Sequence, residues 1–229
     1  MTLKKNTGNM MTDNQVLLNE IIEKYMVIAQ RQKEQYEQTI PKMKLEQRNI
    51  ANCKILLDRK VLLENLPKDA VVAEIGVDKG DFSEQILDIC TPAKLYLVDA
   101  WHSERYHDGL FHQVTERFSK RIDSGEIEIK RGLSIEMAGE FADQSLDWVY
   151  IDTDHSYETT IRELCLYASK VKVGGIISGH DYTMGNFIKW YRYGVIEAVH
   201  QFCATFDWEL IFITAETIEN QSFAIRKIG

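Results

Sequence analysis

The sequence lacks the features that would place it in several large protein classes. Its four cysteines, at 53, 90, 165 and 203, form no C-x-x-C pair and have mostly apolar neighbours. That disfavours a disulfide or zinc framework and fits reduced, buried thiols. No apolar run approaches the ~20 residues of a membrane span. The polar N-terminus (Lys4, Lys5, Asn6, Thr7) has no apolar signal core behind it, so a soluble, cytoplasmic protein with no membrane partner is expected. Positive charge is also short, with 27 basic against 35 acidic side chains and a net charge of −8. A nucleic-acid substrate, which needs a clustered positive field, is therefore disfavoured. The dinucleotide fingerprint G-x-G-x-x-G is absent, and no internal repeat or low-complexity tract is visible.

Three prolines punctuate what is present. Residues 1–13 read as a disordered tail. Residues 14–66 read as an N-terminal helical extension, a lid or a dimer surface: apolar residues recur at helical spacing from Asp13 to about Gln38, Pro41 interrupts, and 45–63 read as a second helix. Pro67 closes the region. From 67 to 229 short β-rich runs alternate with amphipathic helices. Strands are expected at 71–75, 95–98, 127–130, 146–151 and 175–178, and helices at 82–90, 110–122, 135–141, 157–169 and 195–206. This alternation predicts an α/β, Rossmann-like, doubly wound sheet that is mostly parallel. The last two runs, 208–214 and 222–227, have no helix between them, so they form a hairpin that leaves one strand antiparallel near the C-terminus.

In such sheets ligands bind where strands end, near the switch point of the topology. Glu74-Ile75-Gly76-Val77-Asp78-Lys79-Gly80-Asp81-Phe82 occupies that position on the first of these strands. Gly76 and Gly80 let the backbone turn tightly against a ligand. An acid ending the strand suits a ligand with a positive amino group and disfavours a phosphate. The second strand ends in Asp99, an acid placed to accept both ribose hydroxyls of an adenosyl ligand. A tight turn without a ligand remains the plain alternative, since short glycine motifs have many false positives.

Glu74-x-Gly76-x-x-x-Gly80 followed by Val98-Asp99 resembles the nucleotide-binding half of class I S-adenosylmethionine-dependent methyltransferases. The resemblance implies that Glu74, Gly76, Gly80 and Phe82 line the methionine side of the cofactor and Asp99 holds its ribose. It also puts Trp101 and the turn containing Ser134 beside the adenine.

The fourth strand runs into Asp152-Thr153-Asp154-His155-Ser156-Tyr157-Glu158 and the fifth into Gly179-His180-Asp181-Tyr182. Parallel neighbours would bring Asp152 beside His180 and Asp181, a set that could hold a divalent metal or could simply tie loops together. These motifs are similar to a bacterial small-molecule methyltransferase family and to macrocin-type sugar O-methyltransferases, in which acids at these strand ends bind magnesium. By that likeness Asp152 and Asp181 match ligand positions, with His180 standing where the family has an acid and Thr153 where it has glycine. An imidazole is a poorer magnesium ligand than a carboxylate, so a different metal, a weak one or none is implied. Asp154 and His155 are level candidates for the general base.

The expected activity is thus methyl transfer from S-adenosylmethionine, with or without a divalent metal, to a small-molecule acceptor, by a chain that could form a homodimer. The loop 101–111 (His102, Arg105, Tyr106, His107) and the aromatic segment 186–193 (Phe187, Trp190, Tyr191, Tyr193) could contact the acceptor or simply pack. Two other classes stay open: an NAD-dependent oxidoreductase, and a non-catalytic nucleoside-binding scaffold of the same fold.

Overall fold

The computed structural model describes residues 13–186 and 191–229. The tail expected to be disordered lies outside them except for Asp13, as do Phe187 and Trp190. The chain forms two compact units, divided between Ile40 and Pro41. The first contains α1, Asp13–Thr39, a helix of 27 residues. A single helix has no core of its own, so the apolar stripe through Leu18, Ile21, Tyr25 and Ile28 calls for a partner surface.

The second unit carries the sheet. Its elements run β1 (Lys54–Leu56), α2 (Arg59–Asn65), β2 (Val71–Ile75), α3 (Asp81–Cys90), β3 (Lys94–Asp99), α4 (Asp108–Arg117), α5 (Ser119–Asp123), β4 (Ile127–Arg131), α6 (Ser134–Met137) and β5 (Leu146–Ile151). Then follow α7 (Tyr157–Ala168), β6 (Val171–Gly179), the short ladder β7 (Gly185–Asn186) with β8 (Tyr191–Arg192), α8 (Val195–Phe206), β9 (Trp208–Thr214) and β10 (Phe223–Lys227). Eight of these strands form one sheet in the order β1-β9-β10-β6-β5-β2-β3-β4. All its pairings are parallel except those of β10, which runs antiparallel to both β6 and β9. The Rossmann-like class and the closing hairpin are as the sequence predicts.

Both sheet faces are covered, which is why the central strands read as nearly unbroken apolar runs. Val72, Leu95, Trp148 and Tyr150 pack beneath α2, α3 and α4, while Ala73, Ile75, Val149 and Ile151 pack beneath α7 and α8. β2 pairs with β3 on one side and β5 on the other. The crossovers leaving β2 and β5 therefore diverge, and a crevice opens between their carboxyl ends. Among the described residues no helix is long and apolar enough to cross a membrane.

Two expectations need correction. Residues 45–63 are not one helix but a 3₁₀ turn at Gln47–Asn49, the edge strand β1 and the start of α2. The buried Asn49 amide donates to the carbonyls of Cys203 and Trp208, which fixes the turn against α8 and β9. β1 then pairs with β9, and Asp58 caps α2 by accepting from Val61 N at 2.9 Å. Residues 41–66 thus belong to the unit with the sheet, and the helical extension proper is α1. Second, the helix expected at 110–122 breaks at Phe118, whose φ of −104° and ψ of 12° separate α4 from α5.

Candidate active site

The turn after β2 is shaped by backbone geometry. Gly76 has φ +91°, and a Cβ there would lie 1.8 Å from the carbonyl oxygen of Asp152. Gly76 N donates to Val98 O and Asp152 N donates to Ile75 O, both at 2.8 Å, so this turn is stitched to both neighbouring strand ends. Gly80, with φ +80°, begins α3, and a Cβ on it would meet the Phe118 ring at 2.7 Å. Only glycine fits either position without strain.

Asp99 holds the same turn from β3. Its Oδ2 accepts from Val77 N at 2.9 Å and Asp78 N at 3.0 Å, and its Oδ1 accepts from Trp101 N at 3.0 Å. A carboxylate offers about four lone-pair sites, so about one is left for a ligand hydroxyl. Trp101 is 1% exposed, with its ring in the core and its indole N–H donating to Asp78 O at 3.0 Å. It shapes the turn rather than offering an open face. Ser134 starts α6, and its carbonyl accepts from Tyr167 Oη at 2.9 Å.

Glu74 is 1% exposed and faces α3, where Ser83 Oγ donates to it at 2.5 Å. Burial pushes its carboxyl up to about 8, against the lowering effects of Ser83 and Arg59 and with further raising by Asp152 and Asp99. Phe82 packs on Tyr150 with ring centroids 4.3 Å apart.

The second half of the crevice lies at the ends of β5 and β6. Ligand atoms of Asp152, His155 and Asp181 converge to within 4.8 Å of one another. His155 Nδ1 lies 2.8 Å from Asp181 Oδ2 and 3.9 Å from Asp152 Oδ1. His180 stands beside them, its Nδ1 3.4 Å from Asp152 Oδ2 and 3.5 Å from Asp181 Oδ1. The expected trio of Asp152, His180 and Asp181 is thus assembled, but His155 is the imidazole that converges with the two carboxylates. Both His155 and Asp181 adopt left-handed backbone, with φ of 63° and 57°. Such conformations cost ~1–3 kcal/mol each and persist where surrounding contacts impose them. Asn220 Nδ2 donates to Asp181 Oδ1 at 2.5 Å.

Charge follows geometry here. Burial works against protonation of His155, but its hydrogen bond to Asp181 and the charges of Asp181 and Asp152 outweigh this and raise its pKa. His180 is raised in the same way, chiefly by Asp152 against burial. Burial alone would raise Asp181, yet His155 brings it below the usual carboxylate range. The His180 Nε2 is buried without a hydrogen-bond partner.

Asp154, the other candidate base, turns away from this group. Its Oδ1 accepts from Ser156 N and Oγ, and its Oδ2 accepts from Thr159 Oγ1 at 2.8 Å, which ties it to the start of α7. In the loop 101–111, burial raises the Tyr106 hydroxyl pKa, Arg105 lowers it, and the charges of Asp78, Asp152 and Asp99 raise it further. Sequence reasoning missed Arg59, whose guanidinium lies over the Phe82 ring at 4.5 Å and 3.9 Å from Asp152 Oδ2.

Residues 73–182 match the family model of the methyltransferase domain. That stretch contains the candidate cofactor, metal and base residues taken from the sequence, but not the aromatic segment 186–193. No curated protein gives a significant match. Among solved structures, the pyocyanin biosynthetic protein PhzM is 12% identical with a TM-score of 0.54, covering 70% of this chain and 51% of that one. This chain therefore spans about half of PhzM's length. The O-methyltransferase TomG from Streptomyces achromogenes, solved with S-adenosylmethionine, is 12% identical with a TM-score of 0.55, covering 74% of this chain and 78% of that one. The M1A22 tRNA methyltransferase TrmK from B. subtilis is 14% identical with a TM-score of 0.55, covering 77% and 68%. The chain has the Rossmann-like fold of these methyltransferases, and its stretch 73–182 matches the methyltransferase domain model.

Proposed function

We propose that the chain transfers a methyl group from S-adenosylmethionine to a hydroxyl of a small-molecule acceptor of sugar or natural-product type. The observation that carries this reading is the crevice itself: a glycine turn on β2, pinned by Asp99, opens directly onto the cluster of Asp152, His155 and Asp181. Gly76, Gly80 and Phe82 would line the donor's methionine, the remaining lone pair of Asp99 would accept from its ribose, and the turn at Ser134 would border its adenine. Trp101 supports that wall from behind.

The acceptor oxygen attacks the sulfonium methyl in line, the C–S bond breaks, and S-adenosylhomocysteine leaves. Positioning does most of the work in such a displacement. The acceptor's proton goes to His155. Asp181 accepts a hydrogen bond from Nδ1–H, which fixes that tautomer and leaves Nε2 as the basic nitrogen. Asp154 caps α7.

Two carboxylates with one or two imidazoles also fit a divalent cation. Asp152, His155 and Asp181 would hold it, with His180 alongside, and His155 would then serve as a ligand in place of its role as base. Such an ion would lower the acceptor hydroxyl's pKa. The mixed nitrogen and oxygen set suits a transition ion better than magnesium. α1 is proposed to act as the lid or homodimer surface, and the net charge of −8 favours a small acceptor over a nucleic acid.

Calorimetry with S-adenosylhomocysteine and with NAD tests the cofactor. Micromolar binding of the first and none of the second is expected; the reverse result would establish the oxidoreductase reading. A hydroxylated acceptor panel, run with and without EDTA, then tests catalysis. Tight donor binding with no turnover on any acceptor would favour the scaffold.

A further inference from the structure

We infer that Arg59 binds the carboxylate of the donor's methionine tail, an inference that rests on the cofactor reading above. Arg59 opens α2 and lies outside the stretch that matches the methyltransferase domain, so nothing in that match speaks for it. Its place in the crevice is specific. The guanidinium lies 4.5 Å over the Phe82 ring, and Phe82 packs on Tyr150 at 4.3 Å. Nη1 is 3.9 Å from Oδ2 of Asp152, the residue whose carbonyl a Cβ on Gly76 would strike. Arg59 therefore stands at the mouth between the ends of β2 and β5, beside the glycine turn and away from the adenine wall at Ser134.

The ligand's chemistry explains why a cation belongs there. The methionine tail carries a sulfonium, an ammonium and one carboxylate. The acids at this mouth, Asp152 and, across the turn, Asp99, suit the two positive centres and repel the carboxylate. Arg59 offsets that repulsion. Its side chain is 15% exposed and is oriented by Glu219 at 2.7 Å on the segment joining β9 to β10. A guanidinium has five N–H donors in a rigid fork that matches a carboxylate, more than Glu219 and Tyr150 take up. Glu219 is half exposed, so it can yield the fork to the ligand or share it.

The test compares three probes by calorimetry: S-adenosylhomocysteine, its decarboxylated analogue S-adenosyl-3-thiopropylamine, and 5′-methylthioadenosine, which lacks the amino-acid tail. The wild-type protein should prefer S-adenosylhomocysteine to the decarboxylated analogue by about 10- to 100-fold, the range of a charge-assisted hydrogen-bonded pair. Arg59→Gln should erase that preference and leave the affinities for the other two probes unchanged. Equal losses for all three, or no loss for any, would overturn the inference and leave Arg59 as a tie between α2 and Glu219. Should Arg59→Gln fail to fold, the wild type and Arg59→Lys decide: equal wild-type binding of the acid and its decarboxylated form overturns the inference, and a reduced preference in Arg59→Lys supports it. If the wild type binds 5′-methylthioadenosine without preferring the acid, the cofactor reading stands and Arg59 falls; if it binds none of the three, the cofactor reading itself fails and the inference with it.

Discussion

The two halves of the crevice are built on different principles. At the end of β2 the turn is made by backbone: two positive-φ glycines, amides stitched to both neighbouring strands, and Asp99 accepting three main-chain N–H groups. At the ends of β5 and β6 the contacts are between ionisable side chains, two of them on left-handed backbone, with the buried His180 Nε2 left without a partner. The first half provides a shape and is stabilised by it. The second concentrates charge, as sites that perform chemistry commonly do; left-handed backbone is common to both, since Asp78 and Trp101 share it with His155 and Asp181. Mutations in the first half should therefore cost folding, and mutations in the second should cost activity with much less effect on the fold.

Gly76→Ala tests the first half most severely. The added methyl would overlap the Asp152 carbonyl at 1.8 Å on a backbone with φ +91°, and both neighbouring strands hold that backbone in place. A loss of at least ~3 kcal/mol in denaturant unfolding is expected, together with loss of S-adenosylhomocysteine binding. A variant of near-native stability would mean that the turn can relax and that the contrast between the halves is wrong. Asp181→Asn is the counterpart, chosen because asparagine tolerates left-handed backbone and keeps the shape. Turnover should fall about 10²- to 10⁴-fold with cofactor affinity nearly unchanged. The His155 pKa, followed by NMR, should drop once burial is no longer outweighed by Asp181. The wild-type rate should rise with pH through the raised His155 pKa, because only the neutral imidazole accepts a proton.

How much of each half could be read in the sequence follows from the same contrast. Gly76, Gly80 and Asp99 were legible because one backbone geometry allows few residue types, and those types stand at fixed distances from predictable strands. Asp152 and Asp181 were legible as neighbours, since parallel strands align their ends. Which imidazole meets them was not, because it depends on the positive φ at His155, which no periodicity records. Arg59 was hidden for a different reason. Its role depends on α2, and α2 was masked by a misleading helical spacing over 45–63. The exposed Ile55 and Leu57 on either side of the half-buried Leu56 show the strand alternation there, but a three-residue edge strand is too short to announce itself.

Glu74 crosses the boundary, since it is a charge-bearing group inside the backbone-built half. Its folded pKa of about 8 exceeds the ordinary 4.5, so the protonated form favours folding. That contribution is fully present below about 4.5 and is lost as pH rises through about 8, an effect on the order of 5 kcal/mol at most. Glu74→Gln keeps an acceptor for Ser83 and cannot ionise. Thermal melts from pH 4 to 9 should show the variant gaining on the wild type as pH rises, with the two close together at the acidic end. Parallel pH profiles would place the Glu74 carboxyl in contact with water after all. The buried Glu163, pushed up to about 7, titrates in the same window, so only the difference between the two proteins isolates Glu74.

Asp154→Ala should give the smallest effect, and it bears on the half where activity rather than folding is expected to suffer. Asp154 is adjacent to the reactive group in sequence, yet its oxygens are taken up by Ser156 and Thr159 at the start of α7. If it only organises that helix start, its removal should cost about 1 kcal/mol in stability, typical of a lost cap, and should change turnover less than threefold. If it serves as the base, turnover should fall by a hundredfold or more at unchanged stability. The two outcomes differ in which observable moves. A large kinetic effect would also dislodge His155 from its role, because one acceptor hydroxyl has one proton to give up.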